Sequence, residues 1–179
     1  MDIEQYFEKI VHSVDADGQI EETQQFGYKL DGSDGLSVSI GFPENQLSKA
    51  DYLRFTHDEV EIVELSDLSR QLLEANHFLQ ELRDAHVRET GKKRIPAKVD
   101  RRFRKEAFSG IKSELAQKWS GSIATVERLI RLKPDLTENP DYHYSIVCKD
   151  SNEIRAADHV ITMMQGMCNR FKIINSSHY

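Results

Sequence analysis

Two short segments with strand-like patterning, separated by three polar residues, constrain this fold more than any other feature of the sequence. They are residues 50–56 (ADYLRFT) and residues 60–66 (VEIVELS), and His57-Asp58-Glu59 lies between them. Apolar and polar residues alternate within the second segment, which is typical of a half-buried strand. A short gap between two such runs predicts an antiparallel hairpin.

The remaining segments predict helices and strands around this hairpin. Helical spacing of apolar residues predicts helices over residues 2–14, 67–87, 100–119, 123–132 and 152–168. Strand patterning predicts further strands over residues 36–42, 142–149 and 171–175. The resulting fold class is α/β (α+β), a central mixed sheet of about four to five strands flanked by helices. We expect one domain, 1–179, with a basic helical insertion at 90–140.

Composition and simple motifs exclude several classes of protein. No apolar run approaches the roughly 20 residues that span a bilayer, so we expect no membrane partner. The sequence has no glycine-rich phosphate loop and no Gly-x-Ser-x-Gly nucleophile motif. Its two cysteines, Cys148 and Cys168, lack metal-ligand spacing. Two free thiols fit a reducing compartment, and we therefore expect a cytoplasmic protein.

Charge is distributed unevenly along the chain. Residues 1–68 contain four Lys and Arg against sixteen Asp and Glu, a net charge of −12. Residues 92–118 contain ten Lys and Arg against three Asp and Glu, a net charge of +7. We define the basic block as Lys92, Lys93, Arg94, Lys98, Arg101, Arg102, Arg104 and Lys105. These cations either bind the phosphates of a nucleic acid or pair with an acidic surface of this chain or of a protein partner.

Two carboxylates of the hairpin form the candidate catalytic pair. Antiparallel pairing around residues 57–59 brings Glu64 towards Asp51 at the start of the preceding strand. Two carboxylates that project together provide the oxygen ligands that Mg²⁺ prefers. Such an ion activates water and stabilises the charge that develops on a phosphate during cleavage.

The hairpin and its two acids resemble the PD-(D/E)XK nuclease superfamily. The core of that family is a helix, a three-stranded meander, a helix and a strand, with Asp on the second strand and Glu-X-Lys on the third. The resemblance covers about residues 1–90 and 142–175, and it implies that Asp51 and Glu64 bind Mg²⁺. It also implies a nucleic-acid phosphodiesterase, or a nuclease-like subunit of a bacterial or phage nucleic-acid-processing or defence system. Glu4 or Glu8 would match the additional acid that some members carry on the first helix.

The sequence departs from the family pattern at the residue that supplies the catalytic cation. Ser66 occupies the position of the family's Lys, so the predicted catalytic set is Asp51, Glu64 and Ser66. A serine cannot supply a positive charge. The nearest replacement on the following helix is Arg70. Two functions therefore stay open, a metal-dependent nuclease and a non-catalytic interaction protein, such as an immunity, inhibitor or accessory module, on a degenerate nuclease-like scaffold.

Overall fold

A mixed six-stranded sheet forms the centre of the molecule, with strands in the order β1-β2-β3-β4-β5-β6. The computed structural model describes residues 1–13, 20–148 and 154–179. Its strands are β1 (Phe7–Ser13), β2 (Ile20–Lys29), β3 (Tyr52–Phe55), β4 (Glu59–Leu65), β5 (Asp141–Cys148) and β6 (Phe171–Asn175). Its helices are α1 (Leu36–Ser39), α2 (Leu68–Thr90), α3 (Ala97–Ala107), α4 (Ser109–Leu132) and α5 (Ile154–Met164), with 3-10 turns at Glu4–Tyr6 and Ser176–His178.

The direction of strand pairing changes at β4. Strands β1 to β4 form an antiparallel meander, whereas β4 pairs with β5, and β5 with β6, in parallel. A parallel pair needs a long crossover connection, and α2, α3 and α4 supply it between β4 and β5. The predicted hairpin is confirmed, because Leu53 pairs with Ile62 and Tyr52 with Val63 across β3 and β4.

The main core lies between one face of the sheet and the helices. Alternation along the strands directs Leu53, Ile62 and Ile146 to this face, where they join buried residues of α2 and α4 such as Leu72 and Leu129. The opposite face carries a smaller apolar cluster of Ile10, Tyr52, Val63, Val147 and Tyr179. The α+β class with a central sheet is thus confirmed, with six strands where four to five were expected.

The predictions for the first forty residues were wrong in two places. Residues 2–14 were expected to form a helix, but the chain makes a single 3-10 turn and then β1. Residues 36–42 were expected to form a strand, but they contain the short helix α1. The strand that pairs with β3 is instead β2, whose run of polar residues hides the strand alternation. The conformation of β2 therefore depends on its pairing with β1 and β3 more than on its local residue pattern.

The predicted break between the two middle helices was also misplaced. Helices were expected at 100–119 and 123–132, whereas α3 ends at Ala107 and α4 continues without interruption from Ser109 to Leu132. The segment 90–140, expected as an insertion, contributes Trp119, Val126 and Leu129 to the main core. Helix α4 is therefore part of the layer that covers the sheet. In the described part of the chain, no helix combines the length and apolar character needed to cross a bilayer.

Gly121 and Ser122 lie between the two helices expected at 100–119 and 123–132, but the structure places them inside α4, where a loop crosses it. A Cβ atom on Gly121 would lie 2.0 Å from the carbonyl oxygen of Ser48. The hydroxyl of Ser122 accepts a hydrogen bond of 2.9 Å from the backbone N–H of Ala50. These two small residues allow the backbone of residues 44–51 to lie directly on the helix.

The close approach at Gly121 predicts opposite effects for two glycine substitutions in α4. Gly121→Ala should lower the free energy of unfolding by about 1–3 kcal/mol, because backbone must move to relieve the contact. Gly110→Ala is the matched control, since a Cβ there has nothing within 4 Å. It should raise stability by up to about 1 kcal/mol through helix propensity. Urea denaturation measures both values, and an equal effect of the two substitutions would contradict the proposed crossing.

Candidate active site

The loop before β3 holds Asp51 in place through a buried lysine. The side chain of Lys49 is fully buried, and its Nζ donates to the carbonyl oxygens of Leu47 (2.8 Å) and Glu44 (3.0 Å). The same ammonium lies 3.2 Å from Oδ1 of Asp31. These partners compensate the burial of the charge. The loop is thereby ordered up to Asp51, whose carbonyl oxygen accepts from the N–H of Leu30 at 2.7 Å.

Asp51 and Glu64 lie on adjacent antiparallel strands and share one face of the sheet, as predicted. Asp51 directly precedes β3, and its N–H donates to the carbonyl oxygen of Val63 on β4. Alternation places Asp51 on the same face as Leu53, and Glu64 on the same face as Ile62, which pairs with Leu53. Oδ2 of Asp51 accepts a 2.7 Å hydrogen bond from the N–H of Leu65, so its carboxylate lies beside the backbone that carries Glu64.

A lysine from α4 joins the two acids. Nζ of Lys118 donates to Oε1 of Glu64, whose side chain is only 2% exposed. Nζ of Lys118 also lies 3.8 Å from Oε1 of Glu114, one helical turn earlier on α4. Oε2 of Glu114 accepts from Nε2 of Gln71 on α2 at 3.2 Å. Three elements that are distant in sequence thus bring a cation and its acidic partners together above the sheet.

Burial raises the pKa of Glu64 to about 8, and the neighbouring charge of Asp51 contributes in the same direction. Lys118 opposes this shift without cancelling it. Burial alone would lower the pKa of Lys118, but Glu64, Asp51 and Glu114 outweigh it and raise that pKa. The site therefore keeps its lysine protonated and holds a glutamate that exchanges its proton near neutral pH.

Two polar atoms of this site have no hydrogen-bond partner among the described residues. They are Oε2 of Glu64 and the hydroxyl of Tyr144, both inaccessible to solvent. Burial, and then the charges of Glu64, Asp51 and Glu114, raise the pKa of Tyr144, so its hydroxyl stays neutral and available as a donor. Buried polar atoms without partners carry a desolvation cost, and they are typical of places where an ion or substrate completes the bonding.

The other residues proposed from sequence have different partners. Ser66 is 7% exposed, and its N–H donates to the carbonyl oxygen of Val147. The side chain of Arg70 is 65% exposed and bonds Asp67 through Nε, whereas Lys118 of α4 bonds Glu64. Glu8 lies on β1, where it accepts from the hydroxyl of Tyr52, a residue of the opposite face.

Sequence patterns did not single out Lys118, Glu114 or Tyr144. The spacing of Glu114 and Lys118 at i and i+4 shows only that they share a side of a helix. Their position over Asp51 and Glu64 depends on how α4 packs against the sheet, which no local pattern encodes.

All eight residues of the basic block are exposed, as expected for a segment of such high charge. Five of them lie on α3, which packs against α2 and α4. Arg104 bonds Asp100 one turn earlier, and Arg102 lies over the ring of Phe103. The positive charge of the block is therefore presented to solvent.

Within the ranges that the structure describes, no three His, Cys, Asp or Glu side chains group closely enough to hold a metal ion. A site for Mg²⁺ here would thus depend on the two carboxylates, with water as the remaining ligands, a mode this ion accepts. Comparison with known proteins gives no match to a family model, a curated protein or a solved structure.

The raised pKa of Glu64 predicts how stability depends on pH. Its folded pKa of about 8 exceeds the unfolded value, so the folded state binds more protons between the two. The stability that Glu64 contributes is complete below about pH 4 and is lost as pH rises through about 8. Relative to Glu64→Gln, the wild type should lose up to about 1.4 kcal/mol per pH unit in this interval.

Urea denaturation of both proteins between pH 5 and pH 9 measures this difference. Glu114→Gln is the control, because Glu114 also contacts Lys118 but is 45% exposed. Its stability should fall with rising pH as that of the wild type does, because Glu64 is retained. Parallel curves for the wild type and Glu64→Gln would show that Glu64 has an ordinary pKa in the folded protein.

Proposed function

We propose that this chain is a metal-dependent nucleic-acid phosphodiesterase, or the nuclease-like subunit of one. The observation that carries the proposal is the convergence of Asp51, Glu64 and Lys118 from β3, β4 and α4 on one side of the sheet. Two acids and one cation match the charges that the PD-(D/E)XK resemblance requires. Lys118 supplies the positive charge that Ser66 lacks.

The donor set fits a divalent cation held by Asp51 and Glu64. Oε2 of Glu64 is buried and has no hydrogen-bond partner in the described ranges, so a cation would satisfy an atom that is otherwise desolvated at a cost. When bound, Mg²⁺ would lower the pKa of a coordinated water and offset charge on the phosphate. A cation would also favour the ionised form of Glu64, whose proton would be released.

The protein's own residues have separate tasks in this proposal. The ammonium of Lys118, 22% exposed, is positioned to donate hydrogen bonds to a phosphate oxygen, where negative charge grows during hydrolysis. Asp51 is held by the N–H of Leu65, which fixes one carboxylate oxygen. The exposed basic block supplies charge for the sugar–phosphate backbone, whose contacts position a strand without reading its sequence. A cytoplasmic setting belongs to the same proposal, supported by the free thiols of Cys148 and Cys168.

A second candidate function is a non-catalytic interaction protein on this scaffold, such as an immunity, inhibitor or accessory module. Lys118 already pairs with Glu64 without any ion, which favours a site that stabilises the fold. The net charge of −12 over residues 1–68 suits a basic protein partner. The two candidates differ in metal binding and in cleavage.

Metal binding should be linked to the release of a proton. Titration calorimetry with Mn²⁺ in two buffers of different ionisation enthalpy should show about one proton released near pH 7, with affinity rising up to about pH 8. Asp51→Asn and Glu64→Gln should each abolish binding. Glu59→Gln, which removes an exposed acid from the start of the same strand, should leave it unchanged. Binding that survives the first two substitutions would place the ion elsewhere.

Cleavage tests the proposed activity directly. Purified protein should cleave end-labelled single- or double-stranded DNA or RNA with Mg²⁺ or Mn²⁺ and not with EDTA. Asp51→Asn and Lys118→Met should each lower the rate about 100-fold or more, the scale of losing one group that stabilises transition-state charge. Arg70→Ala, a cation outside the cluster, should stay within about twofold. Absence of cleavage on all four substrates would favour the interaction protein.

A further inference from the structure

Four aromatic rings form a continuous strip across β1, β2 and β3. Phe7 of β1 lies 5.9 Å from Phe26 and 5.0 Å from Tyr28 of β2, measured between ring centroids. Tyr28 in turn lies 5.5 Å from Phe55 of β3. We call these four residues the aromatic strip. Tyr28 pairs with Leu53, so the strip lies on the face of the sheet that carries the main core.

The aromatic strip is covered at one end and exposed at the other. Tyr28 and Phe55 are partly buried and pack against the main core. Phe7 is 48% exposed and Phe26 is 50% exposed. The apolar surface of the core therefore continues past the helices onto β1 and β2. Contiguous exposed aromatic surface is typical of a contact site for another molecule.

Strand β1 offers main-chain hydrogen bonds beside the exposed rings. It lies at one edge of the described sheet, where it pairs with β2. An edge strand directs N–H and C=O groups away from the sheet, and these groups can pair with a further strand. The carboxylate of Glu8 turns inward from this edge, because its Oε1 accepts from the hydroxyl of Tyr52 on β3 at 2.9 Å. Gly27 lies opposite Glu8 on β2 and has no side chain to block that path.

The surroundings of the exposed rings are acidic. Oε1 of Glu4 accepts from the hydroxyl of Tyr28 at 3.0 Å, so an exposed carboxylate borders the aromatic strip. Oδ1 of Asp2 accepts from the N–H of Glu4 at 2.9 Å and adds a second acid there. Residues 1–11 contain three acids against one cation, Lys9. This charge favours a basic ligand, and it disfavours a phosphate backbone or a second copy of the same acidic surface.

We propose that the aromatic strip and the edge of β1 bind an extended basic segment of a partner protein by strand addition. Main-chain hydrogen bonds to β1 supply affinity, and alternate side chains of the added strand supply specificity. The exposed rings of Phe7 and Phe26 contact apolar side chains and attract cations to their faces. The carboxylate of Glu4 pairs with a Lys or Arg of the added segment.

This surface is distinct from the proposed catalytic cluster. Its exposed part lies on β1 and β2, whereas Asp51, Glu64 and Lys118 belong to β3, β4 and α4. The inference applies to a nuclease subunit and to an interaction protein alike. It therefore holds or fails independently of cleavage.

Fluorescence anisotropy of the labelled peptide acetyl-Arg-Val-Arg-Val-Arg-Val-amide with the full chain tests the proposal. The double variant Phe7→Ser and Phe26→Ser should weaken peptide binding at least tenfold. The double variant Leu73→Ser and Phe78→Ser removes two similarly exposed apolar side chains from α2, and it should stay within about twofold of the wild type. Both variants are checked for folding by circular dichroism.

Two further measurements test the charge and the main-chain pairing. Glu4→Gln should weaken peptide binding about two- to fivefold, the scale of one exposed ion pair. Glu81→Gln makes the same charge change at an exposed position of α2 and should have no effect. The same peptide with methylated backbone nitrogens should bind at least tenfold more weakly. Hydrogen exchange of the amides of residues 7–11 should slow with the unmethylated peptide alone.

Absence of peptide binding, an equal loss in the Leu73 and Phe78 variant, or unchanged binding of the methylated peptide would overturn the proposal. Tighter binding of single-stranded oligothymidylate than of the peptide would also overturn it, because the rings would then stack on bases. A dimer in sedimentation that disappears in the Phe7 and Phe26 variant would assign the surface to a contact between two copies instead.

Discussion

The candidate site depends on the packing of α4 against the sheet. It brings Lys118 onto Glu64 in an almost solvent-free position, and it places Gly121 and Ser122 against the loop that carries Asp51. A buried carboxylate is unfavourable by several kcal/mol unless a charge or a proton compensates it. The packing of apolar residues such as Trp119 and Leu129 therefore determines the electrostatics of the site as well as the stability of the core.

The same helix separates two regions of opposite chemistry. On one side the sheet presents the buried acid Glu64, whose pKa is raised by burial and then by the charge of Asp51. On the other side α3 and the start of α4 carry exposed cations, among them Arg101, Arg104 and Lys112. A chain with a net charge of −6 keeps such a positive region by concentrating its cations on α3 and the start of α4.

Local patterns predicted the hairpin and its acids, because alternation and a short turn specify both the pairing and the face of Asp51 and Glu64. They did not predict β2, whose polar residues adopt strand conformation because they pair with β1 and β3. They also predicted a break between residues 119 and 123, where α4 continues and Gly121 allows a close contact with the loop at Ser48. Lys118 escaped prediction for a related reason, since 54 residues separate it from Glu64 and only the packing of α4 unites them.

The 54-residue separation of Glu64 and Lys118 along the chain affects the order of folding. The β3–β4 hairpin closes a short loop, whereas pairing of β4 with β5 closes a much longer one that contains α2, α3 and α4 and therefore costs more conformational entropy. Until α4 docks, Glu64 is exposed to water and ionised at neutral pH. The docking step therefore has to remove an ionised carboxylate from water or take up a proton. We expect acidification towards pH 5 to accelerate this late step and to leave formation of the hairpin unchanged.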